Sequence, residues 1–163
     1  MSYVREMTEE EYDEIMGELY YPYIPEDYPL RRRTRIWVIL ALEAQAGLRL
    51  KTACKLKKRD IRYDGGAQEC YVKEYLPKSQ SYKRLTIPTH VAEVIFFISS
   101  TLKEEDYLFA GYRGADGERR PITERAVKKI LKEITDYLEI DGVSTRSFYK
   151  YFYNGPAEED DED

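Results

Sequence analysis

The chain has few of the residues that build metal centres and disulfide frameworks. Its 163 residues include two cysteines, one histidine and one tryptophan. Cys54 and Cys70 lack the spacing of a metal-binding pair, so we expect neither a metal site nor a structural disulfide, and no cofactor is predicted. His90, at the start of a predicted helix, is expected to be exposed rather than catalytic.

Long apolar segments are also missing. No stretch approaches the ~20 consecutive apolar residues that a membrane helix needs, and no basic segment followed by an apolar one stands at the N-terminus. The sequence therefore predicts a soluble, cytoplasmic protein without a membrane partner, or alternatively a virus- or plasmid-encoded intracellular one. Its length suits one domain with its own core.

Charge is present in quantity but is distributed unevenly. The formal net charge is -5, yet residues 31–62 contain eleven Lys/Arg against two acidic residues, whereas residues 1–30 contain nine acidic residues and one arginine. Such a basic block can contact phosphates if the fold gathers it on one face, and is otherwise an ordinary solvated surface. Its candidate DNA-binding residues are Arg31, Arg32, Arg33, Arg35, Lys51, Lys55, Lys57, Lys58, Arg59 and Arg62.

Hydrophobic periodicity and capping residues predict an α+β domain that is mainly helical. Helices are expected from Thr8 to about Leu19, over 31–46, over Leu50–Leu56, from Thr89 through Leu102, after Thr123, and over Phe148–Tyr153. Strands are expected near Asp60–Tyr63, Cys70–Tyr75 and Leu85–Ile87 as a small three-stranded antiparallel sheet, with a polar loop over Gly111–Gly117. The domain is predicted to span 1–156, before a disordered acidic tail over 157–163.

Two motifs carry the strongest functional signal. The first is an apolar helix-like run that ends in Gly47-Leu48-Arg49, and the second is a polar hairpin tip leading into a strand, Lys78-Ser79-Gln80-Ser81-Tyr82-Lys83-Arg84-Leu85-Thr86-Ile87-Pro88. Together with the order of elements along most of the chain, they resemble the catalytic domain of tyrosine recombinases, the phage integrase family. The resemblance implies an integrase-like fold and functions in DNA recombination and integration.

The resemblance also implies a chemistry, in which a tyrosine attacks a DNA phosphate while cations neutralise its oxygens. Arg49 matches the first catalytic arginine, and Lys78 matches the hairpin lysine that acts as a general acid, with Lys83 as its substitute. Lys83 and Arg84 are further DNA-binding candidates. Thr52 stands where the family usually has an acidic residue, and the alternative use of Arg49 is a buried ion pair with an acid such as Glu43.

The family's second motif is changed in this chain. The family's motif Thr-Pro-His-x-Leu-Arg-His is replaced here by Ser144-Thr145-Arg146-Ser147-Phe148-Tyr149-Lys150. Either Arg146 replaces the histidine and Tyr149 the second arginine, or Arg146 is that arginine and Val143 stands at the histidine position. Tyr151 and Tyr153 are candidate nucleophiles that come earlier than the family's tyrosine, and aromatic packing of a terminal helix is their alternative role.

These features favour a DNA-binding protein with a recombinase-like domain, without strand-cleavage activity, in a regulatory or architectural role. One alternative is an active recombinase or integrase whose tyrosine is relocated or donated by another chain. A second is a protein-interaction module whose acidic tail imitates DNA. The predicted partners are double-stranded DNA, a second copy of the chain or a full-length recombinase. A helix-turn-helix over Leu50–Ile61 is disfavoured because hairpin signals follow it directly.

Overall fold

The computed structural model describes residues 4–20, 31–113 and 119–158. The helices in these ranges are α1 (Glu9–Leu19), α2 (Arg31–Ala46), α3 (Leu50–Cys54), α4 (Thr89–Ser99), α5 (Glu124–Tyr137) and α6 (Thr145–Asn154). The strands are β1 (Arg62–Asp64), β2 (Glu69–Leu76), β3 (Ser81–Ile87), β4 (Ala110–Arg113) and β5 (Arg119–Pro121). This is the mainly helical α+β architecture with a three-stranded antiparallel sheet that the sequence predicts.

Helix α2 is the centre of the hydrophobic core. Every side chain from Ile36 to Leu42 is buried, and α1, α3, α4, α6 and β3 all pack against it. A helix that is apolar on all sides is stable only when other elements surround it. The helix therefore holds the segment that follows it, Gly47 to Arg49, in a fixed place at the edge of the core.

Side-chain caps fix the start of three helices. The hydroxyl of Thr8 accepts a hydrogen bond from the Glu11 amide, and the Glu11 carboxylate accepts one from the Thr8 amide. Thr123 caps α5 by accepting from the Ala126 amide, and Ser144 caps α6. These oxygens pair amide groups that the first helical turn leaves without a partner, so the predicted helix starts at Thr8 and Thr123 are confirmed.

The three-stranded sheet has the order β1-β2-β3. In the β2–β3 pair Glu74 stands directly opposite Lys83. Side chains alternate between the two faces of a strand, and in β2 the side chains of Cys70, Val72 and Glu74 are on the buried face. The register therefore places the exposed Lys83 beside the buried Glu74.

Several element boundaries differ from the prediction. β3 begins at Ser81 instead of Leu85, because cross-strand pairing continues to the Leu76–Ser81 pair. A 3-10 turn over Lys58–Asp60 occupies the start of the predicted first strand, and the Asp60 carboxylate accepts a hydrogen bond from the Lys57 amide there. Helix α3 stops at Cys54, and α4 stops at Ser99.

The predicted polar loop after Ala110 is wrong at its beginning. Ala110–Arg113 forms a strand that pairs with Arg119–Pro121, so the backbone is paired although the sequence shows no apolar alternation. The rest of that loop, 114–117, lies outside the described residues, as do residues 159–163 of the acidic tail. At the start of the tail, the Ala157 amide donates to the Met7 carbonyl at 2.8 Å.

None of the helices in the described ranges is long and apolar enough to cross a membrane. The same ranges contain no group of three or more histidine, cysteine, aspartate or glutamate residues that could hold a metal ion. Cys54 and Cys70 are both buried thiols.

Gly47 is expected to be sensitive to substitution. Its φ is +76°, and a Cβ atom there would lie 2.5 Å from Cε1 of Phe152. We expect Gly47→Ala to lower the free energy of unfolding by about 1–3 kcal/mol, because backbone strain adds to displacement of the ring. Urea denaturation measures the change. Gly17→Ala is the matched control, since a Cβ at Gly17 meets no atom within 4 Å; equal stability of the two variants would contradict this expectation.

Candidate nucleic-acid interface

Arg49 is anchored at its backbone and open at its side chain. Its amide donates to Oε2 of Glu74 at 3.1 Å, and its Nε lies 3.9 Å from Oε1 of the same residue. The Glu74 side chain is 3% exposed, whereas that of Arg49 is 54% exposed. The sequence suggested Glu43 as a possible ion-pair partner for Arg49, but the partner is Glu74, because strand β2 carries Glu74 to the end of α2.

Two tyrosines of α6 lie against this cation. The Tyr149 side chain is hydrogen-bonded to Arg49, and this bond with the nearby Glu74 carboxylate raises the pKa of the guanidinium. The Tyr153 ring centroid is 4.7 Å from that of Tyr149. The Tyr153 hydroxyl accepts a hydrogen bond from Nζ of Lys83 at 3.0 Å and donates one to the Gly47 carbonyl at 3.2 Å. The hydrogen bond to Tyr153 raises the pKa of Lys83, so both cations stay charged.

A cleft of about 310 Å³ opens beside Arg49. Four cations from α6, α5 and the start of α3 line it, and we call it the basic cleft: Arg49, Lys51, Lys128 and Arg146. A neighbouring groove of about 460 Å³ shares Lys128, Thr145 and Arg146 with it and continues to Lys132. The fold therefore concentrates positive charge from separate parts of the chain along one continuous path.

Glu43 is an acid on the wall of the basic cleft. It is 2% exposed, and its Oε1 is buried without a hydrogen-bond partner among the described residues. Burial raises the pKa of Glu43 to about 9, with a further rise from Glu124 and an opposing effect of Lys128. Glu43 is therefore neutral near pH 7, and Glu124 is the carboxylate that opposes the four cations of the cleft.

The two hairpin lysines have different surroundings. Lys78 lies exposed in the turn over 77–80, while Lys83 belongs to β3 and contacts Tyr153 beside Arg49. Arg146, in the first turn of α6, lines the same cleft as Arg49. The structure thus brings together Arg49, Arg146 and Lys83 around α6, and it places Lys78 at the hairpin tip.

Tyr151 and Tyr153, the nucleophile candidates, both make contacts within the protein. Tyr151 stacks on Tyr12 with ring centroids 4.8 Å apart, and burial raises its pKa. A phenol with a raised pKa stays protonated and is a weaker nucleophile. The hydroxyl of Tyr153 is used by Lys83 and Gly47, as described above. Both contacts fit the packing role that the sequence gave as the alternative.

Part of the basic block makes contacts within the protein. Nζ of Lys57 lies 3.6 Å from Oε2 of Glu105, and Nη1 of Arg59 lies 2.8 Å from Oε1 of the same residue. Nζ of Lys58 donates to the Leu102 carbonyl at 2.8 Å. These contacts join the segment after α3 to the segment after α4, so the three cations are held by protein atoms.

The other candidates have mixed surroundings. Arg84 pairs with Asp64 and Glu69, and its guanidinium lies 3.9 Å over the Tyr71 ring. Nη1 of Arg35 lies 3.5 Å from the Ala110 carbonyl oxygen. Of the remaining cations of the basic block, Arg33 is half-buried, and four are exposed: Arg32, Lys51, Lys55 and Arg62. Arg31 begins α2, but its side chain lies outside the described part of the chain.

Sequence reasoning missed Lys128, Glu74 and the contact of Tyr149 with Arg49. Glu74 could have been found, because it continues the buried alternation of Cys70 and Val72 and an acid at such a position needs a partner. Lys128 had no signal of its own, since it lies on the polar side of an amphipathic helix and only the packing of α5 beside α3 makes it part of the cleft.

The fold is similar to that of solved tyrosine recombinases. Two solved structures of XerH site-specific recombinase, one bound to difH substrate before cleavage and one bound to palindromic difH after cleavage, superpose with a TM-score of 0.64 and 14% identity over 93% of this chain. XerA recombinase superposes with a TM-score of 0.63 and 16% identity, also over 93%. These neighbours are tyrosine recombinases, so the predicted resemblance and fold class are confirmed.

The likeness concerns the fold and only a part of each neighbour. The chain spans 42% and 41% of the two XerH chains and 49% of XerA. The sequence matches no protein-family model and no curated protein.

Proposed function

We propose that this protein binds duplex DNA by holding backbone phosphates in the basic cleft, that it does not cleave the strand, and that its role is regulatory or architectural. The observation that carries the proposal is the convergence of Arg49, Lys51, Lys128 and Arg146 on one cleft. The structures of the XerH neighbours contain their difH substrate. This supports DNA as the ligand that the same fold binds in this protein.

The chemistry of the cleft suits a phosphate. Arginine donates two parallel hydrogen bonds to phosphate oxygens and cannot lose its charge. Arg49 is oriented by Glu74 at its base and by Tyr149 at its side, so little side-chain freedom is lost when a ligand binds. Neutral Glu43 adds no negative charge to the site near pH 7.

The α6 contacts support binding without cleavage. Tyr149 contacts Arg49. A second arginine that shares a phosphate with Arg49 would be expected at the position of Tyr149. This favours the alignment in which Arg146 replaces the family's histidine and Tyr149 its second arginine. The cleft then lacks one cation of the family's set, and Tyr151 and Tyr153 are engaged in packing and hydrogen bonds.

Two assays on the full chain test the proposal. Fluorescence anisotropy with a labelled duplex is expected to show binding that weakens steeply as salt rises. Incubation with a nicked suicide duplex is expected to yield no covalent protein–DNA adduct. An adduct that disappears with Tyr151→Phe or Tyr153→Phe would establish the active recombinase instead, and an absence of duplex binding would refute the proposal.

A protein-interaction module is the second candidate. Phe96 and Phe97 are adjacent on α4 and are 55% and 49% exposed, and exposed aromatic residues are common at protein interfaces. A chain that fails to bind duplex at low salt would favour this alternative.

A further inference from the structure

We propose that Glu43 keeps its proton and donates it in a hydrogen bond to an oxygen of the phosphate bound in the basic cleft, so that duplex binding weakens when Glu43 ionises. This inference rests on the proposed function, because the ligand is the same DNA phosphate. Under this proposal the cleft contains a neutral hydrogen-bond donor, Glu43, beside the cationic donors of its arginines and lysines.

The position of Glu43 makes an ordinary structural role difficult. It lies in α2, whose neighbouring side chains Leu42 and Ala44 are buried and apolar. Its Oε1 has no hydrogen-bond partner among the described residues, and an unpaired buried polar atom is destabilising. An apolar residue would avoid that loss. Glu43 also lines the basic cleft, and under this proposal an anion that enters the cleft becomes the partner of its carboxyl group.

The charges around Glu43 leave it protonated in the free protein. The cations that line the cleft with it are Arg49 and Lys51 near α3, Lys128 on α5 and Arg146 on α6. Arg49 is already paired with Glu74. The other groups that face it are Glu124, Tyr149 and Cys54, of which Glu124 opposes ionisation of Glu43 and Lys128 favours it. Burial outweighs both effects, and the pKa of Glu43 is about 9.

The two protonation states act on a phosphate with opposite sign. A protonated carboxyl group has one O–H donor, whereas a carboxylate offers only acceptors and carries negative charge. The first state can bind a phosphate oxygen, and the second repels it. A bound phosphate in turn opposes ionisation of Glu43, since linkage between the proton and the ligand is reciprocal.

Duplex binding by three proteins across a pH series tests this inference. At constant ionic strength, wild-type affinity is expected to fall about fourfold between about pH 7 and about pH 9.5, which is the change that a group of pKa about 9 gives when only its protonated form supports binding. Glu43→Gln is expected to bind equally well at both pH values, because the amide still donates and does not ionise. Glu43→Leu is expected to bind about 10-fold more weakly at about pH 7, because the donor is gone.

The comparison with Glu43→Gln isolates Glu43 from the other titrating groups. The lysines of the cleft are the same in both proteins, and burial raises the pKa of Cys54 to about 12, so this thiol stays protonated. Circular dichroism checks that each variant is folded. If Glu43→Leu fails to fold, the pH curves of wild type and Glu43→Gln still decide.

Failure of this inference can be told apart from failure of the proposed function. Superimposable pH curves for wild type and Glu43→Gln would overturn the role of Glu43 while leaving the phosphate site in place. Undiminished binding by a folded Glu43→Leu would do the same. Absence of salt-dependent duplex binding by the wild type at about pH 7 would overturn both.

Discussion

The double variant Arg49→Glu/Arg146→Glu is expected to bind duplex DNA about 100-fold or more weakly than the wild type at ~0.1 M salt. Each substitution removes one cation from the basic cleft and replaces it with a charge that repels phosphate. Arg49 directly precedes α3 and Arg146 lies in α6, but both line the same cleft, so the two losses act on one site. Fluorescence anisotropy with a labelled duplex measures the effect.

Lys55→Glu/Arg59→Glu is the matched control. It makes the same change in net charge, and the Arg59 side chain is as exposed as that of Arg49, at 54%. Arg59 is paired with Glu105 outside the cleft. We expect the control to keep its affinity within about threefold, since distant surface charges are screened. Equal losses in both variants would mean that DNA responds only to overall charge.

Glu43→Leu is expected to stabilise the protein, and more so in alkaline than in acidic solution. In the folded protein the pKa of Glu43 is about 9, against an ordinary value of 4.5. A raised pKa gives stability that is complete below the ordinary value and is lost as pH rises towards the folded value. The wild type should therefore lose stability between these two values, on the order of a few kcal/mol, and Glu43→Leu should not.

Urea unfolding at about pH 5 and about pH 8 measures this difference. Glu74→Leu is the control, because Glu74 is also buried but is hydrogen-bonded to the Arg49 amide. Its replacement is expected to reduce stability by about 1–3 kcal/mol, since it leaves that amide without its partner. A Glu43→Leu protein that is less stable than the wild type would show that Glu43 has a satisfied structural role, and equal stabilisation at both pH values would contradict its raised pKa.

The sequence predicted the structure best where a local backbone feature also positions a candidate functional residue. Gly47 was predicted to end the central helix, and its positive φ and the amide of Leu48 bonding back to Leu42 show that end. That turn is also what positions Arg49. The Thr123 cap was visible for a similar reason, because both residues of the contact are three positions apart in the chain.

The basic block was less informative, because adjacency in sequence does not put side chains on one face. Lys57, Lys58 and Arg59 follow a short helix and enter a tight turn, which directs them to acceptors in the segment after α4. The hairpin lysine depended on register in the same way. Only the full extent of β3 places Lys83 opposite Glu74, and the predicted strand, which began at Leu85, did not include Lys83.

Glu43 shows what periodicity can detect without explaining. A single acid in an otherwise apolar helix was visible in the sequence, and an ion pair was the natural interpretation. In the structure Arg49, the expected partner of Glu43, pairs with Glu74 instead. Glu43 remains buried beside the cleft. The neighbours of Glu43 on α5 and α6 are set by long-range packing, which no local pattern encodes.

The slope of the logarithm of the duplex binding constant against the logarithm of salt concentration tests phosphate binding by the basic cleft most directly. The comparison is between the wild type and Lys51→Gln/Lys128→Gln, which removes two cleft cations without adding repulsion. We expect a steep negative slope for the wild type and a slope smaller in magnitude by about 2 for the variant, one for each lost phosphate contact. Identical slopes, or no salt dependence in either protein, would contradict binding of DNA phosphates in this cleft.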